Sequence, residues 1–179
     1  MIALSVFAIA MAITLTEFSG ALIRTADVDR ATLDSGTARL AVDVFVADLR
    51  QASTQDPAVP PVAAISATTI TFYSPDKLTP KHLRRISYQL TTGTLQRSSV
   101  TSTNTGGPTW IFPGGTPAWI TVAGGVTNTD VFAGFDGLGV ATTTAASVRS
   151  VNVKLDIASK VSKQREAIHR SGITIRVKP

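Results

Sequence analysis

Histidine is the side chain most often asked to move a proton near neutral pH, and this sequence has two, His82 and His169. Neither stands at metal-ligand spacing or beside a nucleophile motif, so each reads as a surface residue. Cysteine is absent, which removes disulfides, thiolate zinc sites and a cysteine nucleophile together. The carboxylates occur singly, and neither a phosphate-binding G-x-x-x-x-G-K-[ST] loop nor a dinucleotide fingerprint is present. The stretch DVFAGFDGLG, Asp130 to Gly139, has the acids of a calcium loop without the oxygen ligands at alternate positions that such a loop needs. No cofactor or metal is expected, and the chain reads as a non-enzyme. A triad assembled from distant positions is the one catalytic route that spacing cannot address.

What remains is charge. Lys81, His82, Arg84 and Arg85 form one basic cluster, and ASKVSKQREAIHRS, Ala158 to Ser171, a second with Glu166 as its one acid. Each reads either as a solvated loop or as a contact for an acidic partner or nucleic acid, and the lack of interleaved aromatic residues weakens the nucleic-acid reading. The net charge of +5 divides unevenly. Residues 1–56 carry four arginines and seven acids, whereas the remainder carries thirteen basic and five acidic side chains. An acidic first third and a basic remainder suit charge matching between subunits; the sharper alternative is attraction of nucleic acid or anionic lipid.

The elements that would position these groups begin with an apolar run. MIALSVFAIAMAITLT, residues 1–16, has no charge, proline or glycine. Sixteen residues of helix span about 24 Å, short of the roughly 30 Å hydrocarbon core. Ile2, Leu4, Phe7, Ile9, Met11, Ile13 and Leu15 would form a membrane and assembly face. A signal peptide and a buried core helix are the ordinary alternatives, but a signal peptide should open on Lys or Arg. Helical character continues through EFSGALIRTADVDRATLDSGTARLAVDVFVADLRQAS, with no proline before Pro57. Leu33, Leu40 and Val44, flanked by Ala38, Ala41, Phe45 and Leu49, recur at helical spacing, so Leu33, Leu40, Val44 and Leu49 are the expected face on the rest of the domain. The reading is one helix of about 50 residues, near 75 Å if straight, weakened at Gly20 and Gly36.

Three regions follow: an apolar half-helix at 1–24, an amphipathic half at 25–56 and a β-rich head at 57–179. AVPPVAA reads as a linker that turns the chain. Alternation predicts strands over Thr68–Ser74, Arg85–Thr91, Thr94–Ser98, Ser147–Ile157 and Gly172–Val177. Thr92-Gly93 is the turn between the second and third of these, and the last two should pair antiparallel. Shorter strands are expected around Trp119–Val122 and Val131–Phe135, with Trp110, Phe112 and Trp119 as a satellite cluster over the sheet. The fold class is α+β, a long N-terminal α-helix packed on an antiparallel β-sheet head.

That plan resembles the type IV pilin superfamily, and MIALSVFAIAMA is similar to the part of the pilin signature that follows the processing site. The details are most similar to minor pilins and J-type pseudopilins. ATLDSGTARLAVDVFVADLRQAS (Ala31 to Ser53), TTITFYSP (Thr68 to Pro75) and RRISYQLTTGTLQRSS (Arg84 to Ser99) carry the likeness. The family's glycine, glutamate and leader have no counterpart here and are expected upstream of Met1. The resemblance implies a pilin-like fold and a structural subunit of a type IV pilus or type II secretion filament. Its partners would be other pilin subunits, an inner-membrane assembly platform, and the lipid bilayer before assembly; nucleic acid is a weaker candidate. It would reside in the inner membrane by a single pass and then in a periplasmic or extracellular filament. The alternative is a single-pass membrane-anchored binding protein that never polymerises.

Overall fold

Alternating β-branched and polar residues dominate the chain beyond residue 60, and in the computed structural model the described residues form eight antiparallel strands. The structure describes residues 36–54, 56, 58–79, 81–107, 109–159 and 167–176, together with Met11, Phe18, Ala21, residues 24–26 and Asp29; for 159 and 167–176 it describes the backbone alone. Five strands, β1 (Val62–Ile65), β2 (Thr69–Pro75), β3 (Leu83–Thr91), β4 (Thr94–Thr101) and β5 (Ile120–Ala123), form a meander in which each pairs with the next. The second sheet has the order β6 (Phe132–Phe135), β7 (Ser150–Ser159), β8 (Ala167–Arg176). Ser and Thr fill many of the outward positions while Ile70, Phe72, Ile86 and Tyr88 face inward and are buried, the signature of a sheet with one dry face.

The tightest local instruction is the β3–β4 turn. Thr92 and Gly93 have φ of 49° and 70°, the paired left-handed conformation of a type I′ turn, whose twist matches that of the strands it joins. Leu90 then faces Leu95 across the hairpin. The two sheets are tied where the carbonyl of Ala67 accepts hydrogen bonds from the backbone N–H groups of Val131 and Phe132, at 2.8 and 3.0 Å. Nearby, Gly134 lets residue 142 approach: a Cβ there would stand 2.8 Å from the Thr142 carbonyl oxygen.

Helix α1, described over residues 36–49, covers the dry faces. Ala38, Ala41, Val42, Phe45, Val46 and Leu49 recur at three- and four-residue intervals and are buried. The Phe45 ring meets Phe72 and Tyr88 of the first sheet edge-on at 6.3 and 5.1 Å, and Phe132 of the second at 5.3 Å. Val151, Val153, Leu155 and Ile157 of β7 complete the same core.

Three expectations are corrected. The pilin-like α+β fold built on one continuous helix of about fifty residues is not what the described chain forms: it is mostly antiparallel sheet, and the described run of α1, residues 36–49, spans about 21 Å. Helices draw most of their stability from packing, and the apolar spacing that meets the sheets lies within residues 38–49. Among the described residues no helix is long and apolar enough to cross a membrane. The face of α1 is also rotated. Leu40 and Val44 are 65% and 36% exposed, whereas Leu49 is buried and Leu33 lies outside the described residues. The sheets take the stripe with small Ala38 and Ala41, which admit close approach, and Phe45, which fills the space between sheets. Finally, the segment read as a linker, AVPPVAA, contributes Val62–Ala64 to β1.

Truncating Phe45 to alanine should cost about 3–5 kcal/mol, and truncating exposed Leu40 less than about 0.5 kcal/mol. Urea titrations of the two variants check this; similar losses would mean that the helix is seated the other way round.

Candidate interaction surface

The C-terminal turn of α1 is held by chemistry that its apolar face lacks. Asp48 points at the sheet, where the Tyr88 hydroxyl donates to its Oδ2 at 2.7 Å and Arg97 Nε donates to the same oxygen at 2.6 Å. Tyr88 and Arg97 are cross-strand partners on β3 and β4, so one carboxylate joins the helix to two strands. The Asp48 side chain is 13% exposed and that of Arg97 21%. Burial, then the hydrogen bond to Asp48, raise the Tyr88 pKa well above its ordinary value, and the hydrogen bond to Asp48 raises that of Arg97. Beyond it, Ser53 N donates to the Tyr73 carbonyl and Thr54 Oγ1 to the Val59 carbonyl, fastening the exit from the helix.

With its inner stripe fixed in this way, α1 turns a second apolar stripe to solvent. Leu40, Val44 and Ala47 are exposed at spacings of four and three, hence neighbours on one ridge. Met11 and Phe18, helical where described, are 55% and 63% exposed. Of the remaining expected membrane and assembly residues, Ile2, Leu4, Phe7, Ile9, Ile13 and Leu15 lie outside the described residues.

The basic cluster of residues 81–85 does not form a patch. Successive strand residues point to opposite faces: Arg84 is inward and opposite Ser74, while Arg85 is outward and sits 4.8 Å over the Phe112 ring. Phe112 in turn stacks on Tyr73 at 5.8 Å, so one member of the expected aromatic cluster does cover the sheet. His82 is half-buried, its Nδ1 2.6 Å from the Ser102 carbonyl oxygen, where it fastens a loop. Of the second basic segment, 158–159 extend β7 and 167–171 belong to β8, with 160–166 outside the described residues. Among the described residues no three His, Asp or Glu side chains gather into a metal site. Asp136 closes its own turn by accepting from the backbone N–H groups of Leu138 and Val140.

Spacing could not reveal the Asp48–Tyr88–Arg97 bridge, because its members stand 40 and 49 residues apart. The one hint was a carboxylate at the margin of the apolar stripe. No protein-family model and no curated protein matches the chain.

Replacing Asp48 with alanine strands the Tyr88 hydroxyl and the Arg97 guanidinium; breaking such a pair costs about 3–5 kcal/mol when fully buried, and partial exposure of Arg97 reduces this to about 2–3 kcal/mol. The Tyr88 pKa is raised in the folded chain, so the stability it contributes is complete below the unfolded value near 10 and falls as pH climbs above it. Denaturation curves from pH 8 to 11 should show a smaller alkaline loss in Tyr88→Phe than in the parent; equal slopes would contradict the assignment.

Proposed function

We propose that this chain is a non-catalytic structural subunit, a minor pilin or pseudopilin of a type IV pilus or type II secretion-type filament, which assembles through its N-terminal helical region. The observation that supports this is the second apolar ridge of α1: Leu40, Val44 and Ala47 stay exposed on a helix whose opposite face already saturates the core. Contiguous exposed apolar side chains mark interaction surfaces. Met11 and Phe18 extend the supply of exposed apolar groups toward the chain start. The reading needs no fifty-residue helix, only a ridge and the uncharged run of residues 1–16.

In this account residues 1–16 keep the subunit in the inner membrane until assembly transfers it to a periplasmic or extracellular filament. Lipid and neighbouring helices are equally apolar, so packing and polar registration set the direction of transfer. The partners are other pilin subunits and an inner-membrane assembly platform driven by a separate ATPase. The acidic first third and basic remainder supply intersubunit attraction that salt screens.

Leu40→Asp/Val44→Asp, expressed in place of the parent chain, should leave the purified protein folded, with a Tm within about 3 °C of the parent because both sites are exposed, while abolishing filaments seen by electron microscopy. Ile9→Lys tests the apolar run in the same assay. Normal filaments from the double variant would remove the ridge from assembly. Membrane-retained protein that never forms fibres, parent included, would instead favour the anchored binding protein.

A further inference from the structure

Two rows on the outward face of the first sheet consist of hydroxyl and carboxamide side chains. Thr69, Gln89, Gln96 and Thr121 are register partners on β2, β3, β4 and β5, so they lie in one row across four strands. Three inter-strand steps of about 4.8 Å make that row roughly 14 Å long. Gln89 Nε2 donates to Gln96 Oε1 at 3.0 Å. The next row is Thr71, Ser87 and Ser98, with Thr71 Oγ1 and Ser87 Oγ 3.0 Å apart. Neither row contains a charge, in a chain with 29 ionisable Lys, Arg, Asp and Glu side chains.

A cleft continues the first row. Ser66 Oγ lies 2.8 Å from Thr69 Oγ1, and Ser66 lines a cavity of about 320 Å³ between the β1–β2 turn and β6. Phe132 and Ile65 give that cavity apolar lining, Thr142 and Thr143 add hydroxyls, and no charged side chain lines it. Ser98 is only 3% exposed, shares the outward face with Ser87, and its Oγ has no hydrogen-bond partner among the described residues.

We propose that this row and cleft form a binding site for a neutral glycan chain. Hydroxyl and carboxamide groups each offer both donors and acceptors, which match a ligand made of hydroxyls. Nucleic acid would demand cations that the two rows lack, and a protein partner would favour aromatic and arginine anchors; those on this face, Tyr73, Arg85 and Phe112, lie beyond the second row and are stacked on one another. A row of about 14 Å serves several consecutive sugar rings, with the end of the chain in the cleft where Ser66, Thr142 and Thr143 meet apolar carbon. The site is remote in register from α1's exposed ridge and does not depend on whether the chain polymerises.

Affinity electrophoresis of the full 179-residue chain through gels containing amylose, mixed-linkage β-glucan, galactomannan or dextran, with sedimentation on cellulose and chitin, tests the proposal. Heparin and polygalacturonate serve as charged controls. At least one neutral polysaccharide should bind, and Gln89→Ala/Gln96→Ala should weaken it about tenfold or more, the loss of roughly one or two hydrogen bonds. Lys77→Ala, on an exposed loop elsewhere, should bind as the parent does. Thr121→Ala provides a second, milder lesion on the edge strand if the double variant fails to fold. Binding to the charged polymers alone, retention unchanged by the row substitutions, or no retention of any neutral polysaccharide would overturn the assignment.

Discussion

The insertion of Phe45 between two sheets is the contact on which the rest of the molecule depends. A five-stranded meander and a three-stranded sheet each have one apolar face, and neither is stable while that face is wet. The Phe45 ring touches aromatic rings from both sheets, so the same side chain seats the helix and joins the layers. Small neighbours make this possible: Ala38 and Ala41 keep the axis of α1 close to the strands, and Val42, Val46 and Leu49 fill the flanks. Aromatic contacts of this kind add about 0.5–1.5 kcal/mol each beyond the area they bury.

Apolar packing alone leaves the helix free to roll about its axis, because a second stripe of similar spacing runs along its other side. The Asp48 carboxylate removes that freedom. Held by Tyr88 and Arg97 from adjacent strands, it admits one rotation, the one that buries Phe45 and leaves Leu40 and Val44 outside. Specificity here comes from a partly buried polar group, and its consequence is an exposed apolar ridge at a defined place on the surface. We interpret that ridge as the means of assembly; the uncharged row from Thr69 to Thr121 on the outer face of the sheet is a separate surface with separate chemistry.

Strand residues were largely legible from alternation. Ile70 and Phe72, Ile86 and Tyr88, and Val151, Val153, Leu155 and Ile157 occupy the buried positions that a two-residue period assigns them, and Thr92-Gly93 turns where its composition says. β8 pairs with β7 as expected but starts earlier, at Ala167, because its basic residues disguise a strand as a loop. The helix misled for a different reason. Leu33, Leu40, Val44 and Phe45, Leu49 both obey spacings of three, four and seven, and bulk favoured the leucines. Which stripe is buried depends on the shape of the sheets it meets, which no window of helical sequence contains. The same limit hid the Asp48 bridge and the row from Thr69 to Thr121, whose members are adjacent only through strand register. Helical propensity from Met1 to Ser53 also drew the fold class toward α+β, whereas the described residues are mostly sheet; propensity is a weak prior beside tertiary packing.

Orientation of α1 is the claim from which the others descend, and a cysteine-free chain allows a direct measurement. Single-cysteine variants Ala41→Cys and Val44→Cys would be exposed to a thiol reagent under native conditions and their labelling rates compared with those in denaturant. The account requires Val44→Cys to label natively at close to its unfolded rate and Ala41→Cys to be protected by a factor of about a thousand or more, as expected for a site that opens only with substantial unfolding. Comparable native rates at the two positions, or protection at Val44→Cys alone in the monomer, would contradict it.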